Sequence, residues 1–195
     1  MQKYCVKNIN MKTDTNQIQT GWVLLVASKS FLSKAIQDFE KCSYSHAAMF
    51  IRLDNGITIN GVFYPIGLYV AEMVAKGLVL TDFDTYISGN DILLICKPNY
   101  AVDGNAYMTN IISMIGHEKY GFVNLLLCQP IKFLTGFRLW FGDVDDNNPP
   151  RLICGEFVEE QINKQNPAYF TDWMRSAPSD IFNSSLFTQI PFIRN

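Results

Sequence analysis

Charge of one sign, histidine, paired cysteines and long apolar runs are all scarce in this 195-residue chain, and each scarcity removes a class of function. Lys and Arg number 16 against 18 Asp and Glu, for a net charge of −2. No block of like charge occurs, so the basic face of a nucleic-acid binder is not expected. The five cysteines, Cys5, Cys42, Cys96, Cys128 and Cys154, are odd in number and lack C-x-x-C spacing. They read as reduced thiols of a cytoplasmic-type protein and not as a disulfide framework. Only two histidines are present, His46 and His117, too few for a zinc site built on imidazoles. No metal and no cofactor are therefore expected. Cys42 and His46 would share a face only in a helix, and the strand pattern that begins at His46 opposes that. The greasiest stretch, Phe122 to Cys128, falls far short of the roughly 20 residues of a membrane span. The N-terminus has no apolar segment of the secretory type, so a cytoplasmic location is expected.

Apolar residues make up 48% of the chain, ample for a packed core. The length suits one domain, with residues 1–20 a polar lead-in and 21–195 the folded unit. Gly21 to Val26 reads as a buried strand, His46 to Leu53 as another, and Leu68 to Val74, Gly77 to Leu80 and Asp91 to Cys96 as three more. Asp54-Asn55-Gly56 has the residues of a hairpin turn, with Ile57 to Phe63 as the return strand. Helices are expected from Phe31 to Phe39, near Gly104 to Gly116, and from Ile153 to about Lys164. An aromatic-rich insertion at about 121–150 separates the last two. Its Ile131-to-Phe141 portion, with Phe133, Phe137, Trp140 and Phe141, suits an amphipathic helix, a groove wall or a membrane-surface contact. The overall pattern is α+β, an antiparallel sheet with helices segregated to one side.

The chemistry centres on Arg151-Leu152-Ile153-Cys154-Gly155-Glu156-Phe157-Val158. Pro149 and Pro150 stop the preceding segment, so Cys154 falls in the first turn of a helix. Free backbone N–H groups and the helix dipole favour negative charge there, which makes a thiol easier to ionise and a better nucleophile. Ser45-His46-Ala47 offers a general base at the start of an apolar strand, where an imidazole needs a partner. Glu72 interrupts Leu68-Tyr69-Val70-Ala71, and a carboxylate inside a strand rarely goes unpaired. Lys76, Arg52 or a histidine would each satisfy it. Cys96 and Cys128 lie in apolar runs and read as packing, and His117 lies in a polar turn.

The order of these motifs resembles the permuted branch of the NlpC-like, papain-like cysteine hydrolases, the group that includes the lecithin retinol acyltransferase relatives. Ser45-His46-Ala47, Tyr69-Val70-Ala71-Glu72-Met73, Tyr120-Gly121-Phe122 and Ile153-Cys154-Gly155-Glu156 carry the resemblance, over roughly 21–187. It implies a papain-like fold with histidine ahead of cysteine in the chain. It implies Cys154 as nucleophile, His46 as general base, Glu72 as the group that orients the imidazole, with Asn60 as a rival, and Tyr120 beside the oxyanion. Two positions depart from the family's pattern: Trp22 stands where aspartate is usual, and Gly155 where serine often follows the nucleophile. The implied activity is hydrolysis of an amide or ester acyl bond in a small acyl-amide, a peptide or a lipid-like substrate. Transfer of the acyl group to another acceptor is the alternative within catalysis. A non-catalytic binding protein that keeps the fold is the alternative outside it.

Overall fold

The computed structural model describes residues 14–27, 31–90, 92–116, 119–120, 151–152, 154–170 and 176–192. The 121–150 insertion, with its Ile131-to-Phe141 portion, lies outside the described residues. Strands run in chain order as β1 (Val23–Ala27), β2 (His46–Leu53), β3 (Ile57–Ile59), β4 (Val62–Tyr64), β5 (Gly67–Val74), β6 (Gly77–Asp82), β7 (Ile92–Pro98), β8 (Lys119–Tyr120), β9 (Arg151–Leu152) and β10 (Phe187–Phe192). The helices are α1 (Phe31–Glu40), α2 (Phe83–Ser88), α3 (Gly104–Met114), α4 (Cys154–Gln165) and α5 (Pro178–Asn183).

Six strands form one sheet in the order β10-β7-β1-β2-β5-β6, with every neighbouring pair antiparallel. β1 is central, and each of its residues is buried, because both faces of the sheet are covered. Alternation assigns the faces. Val23 and Leu25 join Ala47, Met49, Ala71 and Met73 in a core completed by α3, α4 and α5. Leu24 and Val26 join Ala48, Phe50 and Val70 in a second core, covered by Phe83 and Tyr86 of α2 and by Ile18 and Trp22. The molecule is therefore α+β, a sheet of antiparallel strands packed against helices. No helix among the described residues is long and apolar enough to cross a membrane.

Four features differ from the sequence reading. The helices are not segregated to one side of the sheet, because α2 covers the face opposite α3, α4 and α5. The Asp54-Asn55-Gly56 turn does not fold β3 back onto β2, which pairs instead with β1 and β5. The hairpin lies further on, where β3 pairs β4 around Asn60 and Gly61. Both residues have positive φ, 49° and 80°, the backbone of a two-residue type I′ turn. The short helix α2 falls in a stretch to which the sequence reading assigns no element. The second half of the lead-in, residues 14–20, is seated on the sheet: Arg52 donates from Nε to the Ile18 carbonyl at 2.7 Å and from Nη2 to that of Thr15 at 2.5 Å. Ile18 is fully buried.

Candidate active site

His46 opens β2, and β5 carries Glu72 alongside it. The register Met49–Ala71 sets Ala48 opposite Glu72, so His46 and Glu72 point to the same face of the sheet as diagonal neighbours. Their side chains meet, with His46 Nε2 2.9 Å from Glu72 Oε2. Thr81 of β6 adds a long contact from Oγ1 to Glu72 Oε1 at 3.5 Å. Arg52, at the other end of β2, gives its guanidinium to carbonyls of the lead-in. Asn60 donates to the Ile115 carbonyl at 3.0 Å. Glu72, not Asn60, is thus the residue on the imidazole.

Cys154 is the first residue of α4. Phe157, Val158 and Ile162, spaced for one helix face, are fully buried in the core with the sheet, which aims the N-terminal turn of α4 at the start of β2. The thiol hydrogen-bonds the His46 side chain. Because Nε2 is engaged by Glu72, the nitrogen that faces the sulfur is Nδ1. Pairing of β2 with β5 reaches only as far as Met49–Ala71, short of the first residues of β2. The Ala47 N–H is thereby released from that ladder and donates to the Cys154 sulfur, as does the Gly155 N–H.

The electrostatics follow from this geometry. Burial opposes ionisation of Cys154, but the His46 charge, the His46 hydrogen bond and the two backbone donors outweigh it and lower the thiol below its ordinary value of 9.0. Burial likewise opposes protonation of His46, yet the Cys154 and Glu72 interactions raise the imidazole from 6.5 to about 10. The favoured state is a thiolate–imidazolium pair with a carboxylate on the far nitrogen. By contrast, burial alone raises Cys96 to about 12, and burial first among several influences raises Cys42. Those two are packing thiols.

A cavity of about 330 Å³ opens on the His46–Glu72 side, lined by Val26, Ser45, His46, Glu72, Tyr86 and Asn90. Cys154 itself is only 4% exposed. Tyr86 of α2 hydrogen-bonds Glu72. Nothing in the sequence reading had singled it out. The signal available was the N-cap spacing of Asp82 and Thr85, which starts α2 through a 3.1 Å bond from the Thr85 N–H to Asp82 Oδ1. Tyr120 is placed only through its backbone: β8 pairs in parallel with β9, setting Tyr120 beside Leu152, just ahead of the Cys154 turn. Its side chain lies outside the described residues, as does His117. Among the described residues, no three His, Cys, Asp or Glu side chains are grouped to hold a metal ion.

Gly155 has a local cause. A Cβ there would stand 3.0 Å from the Ser176 carbonyl oxygen and from Ala177 Cα, so the segment before α5 packs directly on the helix backbone. Trp22 is buried in the second core, with Lys97 Nζ 5.5 Å from its ring centroid.

No family model matches the chain, and no curated protein matches it in sequence. Among solved structures, the crystal structure of the metalloprotein yiiX from Escherichia coli O157:H7, a DUF1105 protein, aligns over 92% of this chain and 99% of its own, with TM-score 0.53 and 17% identity. At that identity the likeness is one of fold.

Proposed function

We propose that the protein is a cysteine hydrolase of a permuted papain-like kind that cleaves an amide or ester acyl bond. One observation carries the reading: Cys154 and the Glu72 carboxylate both bond a single imidazole, that of His46, with Glu72 on Nε2. A thiolate next to an imidazolium is both an activated nucleophile and a poised acid. The Cys154 sulfur attacks the substrate carbonyl carbon and forms a tetrahedral oxyanion. His46 gives its Nδ1 proton to the leaving amine or alcohol as the C–N or C–O bond breaks, leaving an acyl thioester on Cys154. A water molecule, deprotonated by His46, then attacks the thioester carbonyl. The acid departs and the thiolate–imidazolium pair returns. Throughout, Glu72 holds the ring orientation and stabilises its positive charge, as the third member does in analogous triads. The Cys154 N–H, unpartnered within the helix at its first position, is a donor for the oxyanion.

The polar lining of the cavity, Ser45, Tyr86 and Asn90 beside the trio, favours a small acyl-amide or peptide over a long acyl chain. A binding protein that merely keeps the fold has no need of a buried thiol in contact with a histidine. The test is turnover of a panel of acyl amides, peptides and esters by wild type and Cys154→Ala. The proposal expects an acid product from wild type and none from the variant. Retained activity in Cys154→Ala would remove Cys154 as the nucleophile.

A further inference from the structure

The trio leaves one buried polar group unexplained. Tyr86 is 5% exposed, sits between the sheet and the cavity, and directs its hydroxyl to the Glu72 carboxylate. A tyrosine that served only to fill the second core would do so better as phenylalanine, since burying a hydroxyl is unfavourable unless it is bonded. Glu72, for its part, is under-held. Apart from Tyr86, its described side-chain partners are His46, on Oε2, and Thr81, whose 3.5 Å contact to Oε1 is at the outer limit of a hydrogen bond. The terminal torsion of a glutamate is soft, so one imidazole and one long contact do not fix the carboxylate plane.

The short helix α2 is built to hold the tyrosine in place. Asp82 caps its start, with Oδ1 3.1 Å from the Thr85 N–H. Asn90 donates to the Tyr86 carbonyl at 2.9 Å. Phe83 packs edge-on against Phe50 and Phe192, with centroids 5.5 and 5.6 Å apart. The hydroxyl is buried and flanked by the charges of Glu72 and Cys154, which together hold it protonated far above the ordinary tyrosine range. At any working pH it is therefore a donor toward Glu72 and never a base.

We infer that Tyr86 is a positioning residue: it fixes the Glu72 carboxylate, which in turn fixes the His46 ring against Cys154, an inference that rests on the reading of the trio given above.

A double-mutant cycle on the intact protein tests it. The rate of Cys154 alkylation by iodoacetamide, read by mass spectrometry on the Cys154 peptide, is followed from pH 5 to 9 in wild type, Tyr86→Phe, Glu72→Gln and the double variant. Phenylalanine keeps the ring and its packing, and thermal melting verifies the fold of each variant. Loss of one charge-assisted hydrogen bond predicts an alkylation rate at pH 6 roughly tenfold lower in each single variant. The double variant is expected to be no slower than Glu72→Gln alone, because Tyr86 acts only through that carboxylate. Full additivity in the double variant, or an unchanged rate in Tyr86→Phe while Glu72→Gln slows, would overturn the inference and leave the trio standing. An unchanged rate in Glu72→Gln would instead remove Glu72 from the trio, and the Tyr86 role with it.

Discussion

Burial alone would keep the Cys154 thiol protonated, because a low-dielectric site penalises the thiolate. The His46 charge reverses that balance, and the sign of the pH dependence follows. With the thiol below 9.0 and the imidazole at about 10, the ion pair fills the interval between the two and is lost at either end. Alkylation of Cys154 is expected to stay fast well below pH 9.0 and to persist above pH 10, where the thiolate survives. Substrate turnover should instead decline above about pH 10, where His46 has no proton for the leaving group. In His46→Ala the largest influence remaining on the thiol is burial, so its titration should move to 9.0 or higher. Stopped-flow alkylation across pH checks this, and an unmoved profile would mean that His46 does not set the thiol's charge. At this scale much was legible in the sequence. The pair of prolines places Cys154 at a helix start, and a lone imidazole or carboxylate in an apolar strand demands a partner. What residue types alone leave open is which partner: Glu72 had Lys76, Arg52 and His46 to choose from, and strand register decided it. Gly155 was equally opaque, because its cause is a neighbour distant in sequence. Gly155→Ala should destabilise by roughly 1–3 kcal/mol, since the backbone of Ser176 and Ala177 must move to admit a methyl group. Thermal melting measures it, and a variant as stable as wild type would show that the segment before α5 yields freely.

Elements with a long, regular pattern were the readable ones. β2 reads His46–Leu53 in both sequence and structure, because its apolar run from Ala47 to Ile51 is continuous, as a strand buried on both faces requires. α4 begins within a residue of the expected start, set by its apolar stripe. Elements shorter than two turns carry no period, and so α2 was missed: Phe83 and Tyr86 are its only buried residues. The turn that closes a hairpin was likewise ambiguous, since Asp54-Asn55-Gly56 and Asn60-Gly61 both offer the right chemistry. Which one folds back is decided by β5, which takes the edge of β2 that β3 would have needed. The α2 cap can be tested by itself. Asp82 Oδ1 accepts from the Thr85 N–H at 3.1 Å and its hydroxyl at 3.3 Å. Asp82→Ala should destabilise the protein by about 1 kcal/mol, while Asp82→Asn, which retains the acceptor, should cost only a fraction of that. Denaturant unfolding of the pair reads the difference. Equal loss in both variants would assign the effect to charge and not to the cap.

The whole-molecule arrangement is what no local pattern could supply. The sheet order β10-β7-β1-β2-β5-β6 brings the last strand of the chain to one edge and leaves its second face needing a cover. Part of that cover is a segment with almost no apolar content. Residues 14–20 contribute one fully buried side chain, Ile18, and are tied down mainly by polar bonds. Arg52 binds the carbonyls of Ile18 and Thr15, and Thr20 Oγ1 accepts from the Arg52 N–H at 2.9 Å. A polar composition therefore hides a structural role: the carbonyls do the anchoring, and any sequence presents carbonyls. The two ends of this anchor should respond differently. Ile18→Ala opens a cavity in the second core and should destabilise by roughly 2–5 kcal/mol. Arg52→Lys keeps the charge but replaces a planar fork by a single point donor, which cannot reach both carbonyls in the same geometry. Its loss should be smaller, about one hydrogen bond or roughly 1 kcal/mol. Because both variants loosen the same segment, the double variant should fall short of the sum, as contacting groups do. Calorimetric melting of the three variants decides the matter: strict additivity, or an Ile18→Ala protein that melts with wild type, would mean that residues 14–20 do not act as one seated unit.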